Sequence, residues 1–99
     1  MRVLKGILKE SLGYYQRLER DLQRRIARLP KGSIKRRRIR GHDYYYLQQR
    51  QGHRVIHRYL GRLEPVAFIE QVNRRRRLLR ELSQVRDALK LLPQKKLLS

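Results

Sequence analysis

The stretch from Pro30 to Gly61, PKGSIKRRRIRGHDYYYLQQRQGHRVIHRYLG, decides how the chain is read. It opens on turn chemistry, Pro30-Lys31-Gly32-Ser33. Three short segments follow, Ser33 to Arg40, Asp43 to Arg50 and His53 to Leu60, separated by Gly41-His42 and Gln51-Gly52. The second carries Tyr44, Tyr45 and Tyr46 and the third Val55, Ile56 and Tyr59, aromatic and β-branched residues that suit a pleated surface. Gly52 supplies the positive φ that a two-residue hairpin loop needs. The expectation is a three-stranded antiparallel meander. The first segment admits a second reading, because Lys35-Arg36-Arg37-Arg38 also fits an unpaired basic arm.

Outward from this stretch the hydrophobic period changes from two to between three and four. Over residues 1–29, Leu8, Tyr15, Leu22 and Leu29 recur every seventh residue, with Leu4, Leu12, Leu18 and Ile26 between them, which predicts a helix with one apolar stripe. Gly6 and Gly13 weaken it and Pro30 ends it. After the sheet, Glu64-Pro65 opens a second helix with Pro65 at its first position. Phe68, Val72, Leu79, Leu82, Val85, Leu89 and Leu92 then form its stripe, interrupted at Arg75 and Arg76 and ended by Pro93. Residues 93–99 read as a loose tail. The expected fold is α+β in one domain over 1–99, ordered α-β-β-β-α, with two long antiparallel helices forming a stalk of about 40 Å beside the meander.

Composition sets the function class. The 99 residues include 27 Lys or Arg against 8 Asp or Glu, a net charge of +19, and 20 of the cations are Arg. Arg binds phosphate and guanine through paired N–H groups and stacks on bases, so the bias points to nucleic acid. The 29 Leu, Ile, Val and Phe residues suffice for folding, but the core is thin, which predicts a homodimer built on a four-helix stalk. With no Cys there is no disulfide scaffold or thiolate metal site. No apolar run spans a membrane, and Lys5 and Lys9 break the N-terminal apolar segment, so no signal peptide is read. The first helix is a poor membrane binder, since Glu10, Glu19 and Asp21 dilute its charge and Trp is absent. These features predict a cytoplasmic protein, nucleoid-associated if it binds DNA.

The charge is uneven. Residues 30–62 hold ten Lys or Arg and one acid, Asp43, a net +9, while residues 1–29 and 63–99 carry +5 each. In the strand segments Arg residues interleave with Tyr44, Tyr45, Tyr46 and Tyr59, and pleating sends about half of the tyrosines to the packed side. A strand surface mixing guanidinium and aromatic groups contacts phosphates and either stacks on unpaired bases or lies against a duplex groove. The candidate nucleic-acid-binding residues are Lys35, Arg36, Arg38, Arg40, Tyr44, Tyr46, Arg50, Arg54 and Arg58. Arg36, Arg38 and Arg40 fall on one face of the first strand, and Arg54 and Arg58 on one face of the third. Arg74 and Arg77 join them from the run Arg74–Arg77 as a phosphate clamp, although four successive helical residues point all round and at least one must lie near the stripe.

Catalysis and metal binding are not expected. His53 and His57 on a strand stand about 13 Å apart, too far to share a zinc ion. Asp43 is the only acid between Asp21 and Glu64, so no carboxylate cluster holds magnesium. Glycine-rich phosphate loops are absent. No enzyme activity and no cofactor are expected.

The segments Leu29-Pro-Lys-Gly-Ser-Ile34, Ile39-Arg-Gly41, Tyr44-Tyr-Tyr-Leu-Gln48, Arg50-Gln-Gly52, Val55 and Tyr59-Leu-Gly61 resemble a widespread family of small bacterial and archaeal domains of unknown function. In that family an LPKGS turn precedes a YYYL strand and an R-x-G-x-x-V-x-x-x-YLG strand between charged helices. A weaker similarity is to the N-terminal strands of some transposases. The resemblance implies the helix–sheet–helix order and a prokaryotic or mobile-element setting; it supplies no catalytic residue. Ile56 and His57 depart from the more basic strand usual in the family. The expected function is nucleic-acid binding, DNA before RNA, as a regulator or accessory factor of a mobile element or defence system. The alternatives are a coiled-coil adaptor or inhibitor of an acidic protein partner, and a ribosome- or RNA-associated factor.

Overall fold

A computed structural model describes residues 2–92. Its elements run α1 (Arg2–Ala27), β1 (Ser33–Ile39), β2 (His42–Gln51), β3 (Arg54–Gly61) and α2 (Val66–Leu91). Two helices thus flank a three-stranded antiparallel sheet, an α+β fold ordered as the sequence predicts. The tail at 93–99 lies outside the described residues. Contacts divide the chain into two compact units, a helical unit of residues 1–28 and 77–99 and a sheet unit, Leu29–Arg76.

In the helical unit, α1 buries Leu12, Leu22 and Ile26, the expected stripe, with Leu22 only 1% exposed. The stripe fades toward the N-terminus, where Leu4 is 52% exposed. Gly6 and Gly13 do not interrupt the helix. From α2 the unit buries Leu78, Leu82 and Val85. Leu78 takes the place expected of Leu79, which is exposed. The run Arg74–Arg77 holds no apolar residue to mark the helical phase: Leu79, seven residues after the buried Val72, continues its face, whereas Leu78 lies about a third of a turn away and opens the stripe that Leu82 and Val85 continue. Arg86 Nε donates to Glu19 Oε2 at 3.1 Å and ties α2 to α1. Asp21 pairs with Arg24 and Arg25 at 3.7 and 3.2 Å within α1, exposed pairs worth a few tenths of a kcal/mol.

In the sheet unit, β2 is central, and the basic β1 segment pairs with it from Ser33↔Gln48 to Ile39↔His42. The unpaired-arm reading does not hold. Arg40-Gly41 forms the first two-residue loop with both φ positive, 52° and 80°, and Gly52-His53 the second. Each loop lies one residue from where the sequence places it. On the other side, Tyr46↔Tyr59 and Tyr45↔Gly61 are partners, so Leu60 is one extra residue in β3, a β-bulge at which Gly61 has φ 133°. Pro65 precedes α2 as its cap: its carbonyl accepts the first helical bond, from Ile69 N at 2.9 Å, one position earlier than expected.

Candidate nucleic-acid interface

Pleating and register assign every sheet side chain to one of two faces. One face carries Ile34, Arg36 and Arg38 of β1, Asp43, Tyr45, Leu47 and Gln49 of β2, and Arg54, Ile56 and Arg58 of β3. The start of α2 packs against this face. Leu47 is 2% and Val72 3% exposed, and Ile34, Arg36 and Tyr45 line with Ile69, Val72 and Asn73 a cavity of about 440 Å³. The other face is open. It carries Lys35 and Arg37 of β1, His42, Tyr44, Tyr46, Gln48 and Arg50 of β2, and Val55, His57 and Tyr59 of β3. Arg62 joins them because the bulge shifts the register.

The LPKGS turn anchors β1. Gly32 has φ 120°, and a Cβ there would stand 2.5 Å from the Gln48 carbonyl oxygen, so only glycine fits. Gln49 Nε2 donates to the Lys31 carbonyl at 2.8 Å. Arg76 Nη2 donates to the Gly32 carbonyl at 3.3 Å and to Ser33 Oγ at 3.1 Å. This arginine of the four-residue run therefore holds the turn, and Arg75 is the one near the stripe, half-buried with its Nε lacking a partner. Arg74 is exposed in the sheet unit, and Arg77 belongs to the helical unit.

On the open face three tyrosines cluster. The Tyr59 centroid, on β3, stands 6.3 Å from that of Tyr44 and 5.4 Å from that of Tyr46, both on β2. The Arg37 guanidinium stands 5.2 Å from the Tyr46 centroid and the Arg62 guanidinium 5.8 Å from that of Tyr44, both within cation–π range. Arg37 Nη2 stands 3.3 Å from His57 Nδ1 and Arg62 Nη2 2.6 Å from His42 Nδ1, both within hydrogen-bond distance. Among the described residues every ion pair lies on α1 or α2, and no sheet cation has a carboxylate partner. Asp43 sits on the helix-side face opposite Arg38, with Oδ1 buried and unpartnered.

The structure therefore divides the expected surface. Lys35, Tyr44, Tyr46 and Arg50 share the open face. Arg36, Arg38, Arg54 and Arg58 lie on the face that α2 packs against, and Arg40 is in a turn. They do not form one contact surface with the tyrosines, because alternate residues point to opposite sides. Arg37, Arg62, His42, His57 and Tyr59 complete the open face; none is among the candidate binding residues of the sequence, although Tyr59 is one of its interleaved tyrosines. A register counted from the Arg40-Gly41 loop places Arg37 opposite Tyr44 and would have found the first of them; Arg62 depends on the bulge. Among the described residues no helix is long and apolar enough to cross a membrane.

Searches of curated proteins and of solved structures returned no match. A family model described as Domain of unknown function (DUF6788) matches residues 14–67, from the second half of α1 through the whole sheet to the first residues of α2. That match covers more than half of the chain and includes every strand residue of the open face, and the chain belongs to this family of domains of unknown function.

Proposed function

We propose that the chain is a nucleic-acid-binding protein whose contact surface is the open face of the sheet. One observation carries this reading: the face gathers Lys35, Arg37, Arg50 and Arg62 around Tyr44, Tyr46 and Tyr59 with no acidic residue among them. Four cations without carboxylate partners repel one another, and a polyanion relieves that repulsion while releasing its counterions. The Arg side chains also supply directional N–H groups for phosphate. A regulatory or accessory role in a mobile element or defence system, with DNA before RNA as ligand, is part of the proposal.

The test titrates a fluorescent duplex, a single strand and an RNA hairpin against salt. Affinity is expected to fall by about two to four decades between 50 and 200 mM salt, as for several phosphate contacts. Absence of binding to all three at low salt refutes the reading. Substituting Lys35, Arg37, Arg50 and Arg62 together by Ala is expected to abolish binding, whereas the same change at Arg36, Arg38, Arg54 and Arg58 leaves most of it. The reverse outcome moves the interface to the helix-side face.

Self-association belongs to the same proposal. Val3, Leu4, Ile7 and Tyr14 of α1 are 52–77% exposed, apolar surface that a second copy would cover. Sedimentation is expected to give twice the 12.1 kDa of the chain, and a monomer removes this part.

A further inference from the structure

We propose that the open face binds unpaired nucleobases, with the Tyr59 ring as the stacking surface; this rests on the nucleic-acid reading above and specifies the form of nucleic acid it takes. The three tyrosines are not equivalent. Tyr46 and Tyr44 are half-buried, and each has a guanidinium over its ring, from Arg37 and Arg62. Tyr59, next to both, is 51% exposed, and among the described residues no cation lies over it. Its neighbours are tilted from it by 43° and 53°, so neither lies flat against its face. An exposed aromatic ring with no cation over it, beside two rings that each carry one, leaves a face on which a base can stack next to groups that bind its phosphates.

Duplex geometry argues the same way. A duplex offers phosphates and base edges along its length and turns base faces outward only at its ends. The face of Tyr59 gains nothing from a base edge, whereas a base in a single strand can be splayed onto it. Arg37 and Arg62 each use one Nη2 on a histidine nitrogen and, held over the two rings that neighbour Tyr59, keep their other N–H groups for the phosphates of a strand whose base stacks there. The histidines thereby restrict two long side chains before any ligand arrives, which lowers the ordering cost of binding.

The decisive comparison uses the intact chain with 5′-labelled oligothymidine, an abasic strand of the same length and charge, oligouridine and a duplex, all at one salt concentration. The base-bearing strands are expected to bind about tenfold or more tightly than the abasic strand. Tyr59→Ala should bring them down to the abasic level, and Tyr59→Phe should retain the difference. Thymidine and uridine strands separate DNA from RNA as the source of the base, and a margin of either over the abasic strand supports the proposal. Equal affinity for base-bearing and abasic strands overturns it, as does tighter binding of the duplex, while the nucleic-acid reading stands in both cases. Failure of every strand to bind at low salt defeats that reading instead. Should Tyr59→Ala not fold, the abasic comparison on the unmodified chain decides alone.

Discussion

Arg62 stands over the ring of Tyr44, its guanidinium 5.8 Å from the ring centroid, although an uninterrupted ladder would place it on the opposite face of the sheet. From Tyr46↔Tyr59, regular antiparallel counting sets Tyr44 against Gly61 and Asp43 against Arg62. Leu60 is extra, so the partner of Gly61 is Tyr45 and the parity of everything after it is reversed. One inserted residue thus removes Arg62 from the neighbourhood of Asp43 and adds it to the acid-free face.

The bulge depends on Gly61, whose φ of 133° is costly for any residue with a side chain, although a Cβ there would meet no atom within 4 Å. Gly61→Ala is expected to destabilise the fold by about 1–3 kcal/mol, read by chemical denaturation. It should also weaken nucleic-acid binding, because the backbone conformation that carries Arg62 is the one strained. Unchanged stability would mean that the conformation is not needed.

Gly32→Ala should be more damaging. The added Cβ meets a backbone oxygen at 2.5 Å in addition to an unfavourable φ of 120°. The backbone conformation and the forced displacement each cost about 1–3 kcal/mol. Loss of the cooperative thermal transition in circular dichroism, or a large drop in its midpoint, is the expected result. A midpoint within about 2 °C of the parent would contradict the docking of the turn on β2.

Arg40 occupies a loop position with φ 52°, where Asn or Gly is ordinarily found before glycine. Arg40→Asn is therefore expected to stabilise the protein by about 1 kcal/mol in denaturant titrations. Lower nucleic-acid affinity in the same variant would show that the arginine is kept at this strained position for its charge.

Leu47, on the central strand, is 2% exposed, and Leu63 is 86% exposed. Truncation to Ala is expected to cost about 2–5 kcal/mol at Leu47 and less than about 0.5 kcal/mol at Leu63. Equal effects would place the core of the sheet unit elsewhere.

Adjacent arginines on β1 should behave differently in binding. Arg37 faces the tyrosine cluster and Arg36 the α2 side. Arg37→Ala is expected to reduce the slope of log affinity against log salt by about 1, the signature of one lost phosphate contact. Arg36→Ala should leave the slope unchanged, and equal slopes for the two variants would count against a single binding face.

Much of the fold is legible in the chain because its local signals agree. Apolar residues spaced by three and four change at Pro30 to short β-rich segments separated by Gly and change back at Pro65, which is enough for the order α-β-β-β-α and for strand ends within about two residues. The signals fail where a phase is lost. Nothing apolar marks the helical register through Arg74–Arg77, so Leu79 is expected where Leu78 is buried. The bulge has no signature beyond Gly61 itself.

The sequence alone determines the amount of positive charge, its concentration in residues 30–62 and the tyrosines mixed into it, because these are properties of composition and order. Which cations meet those tyrosines is decided by tertiary structure. Strand pleating divides Lys35–Arg38 between two faces, the packing of α2 on the side of Ile34 and Tyr45 leaves the other face open, and the extra residue at Leu60 turns Arg62 toward Tyr44. Side-chain direction in a sheet is a matter of parity, and parity is set by pairing between strands that a linear reading does not contain.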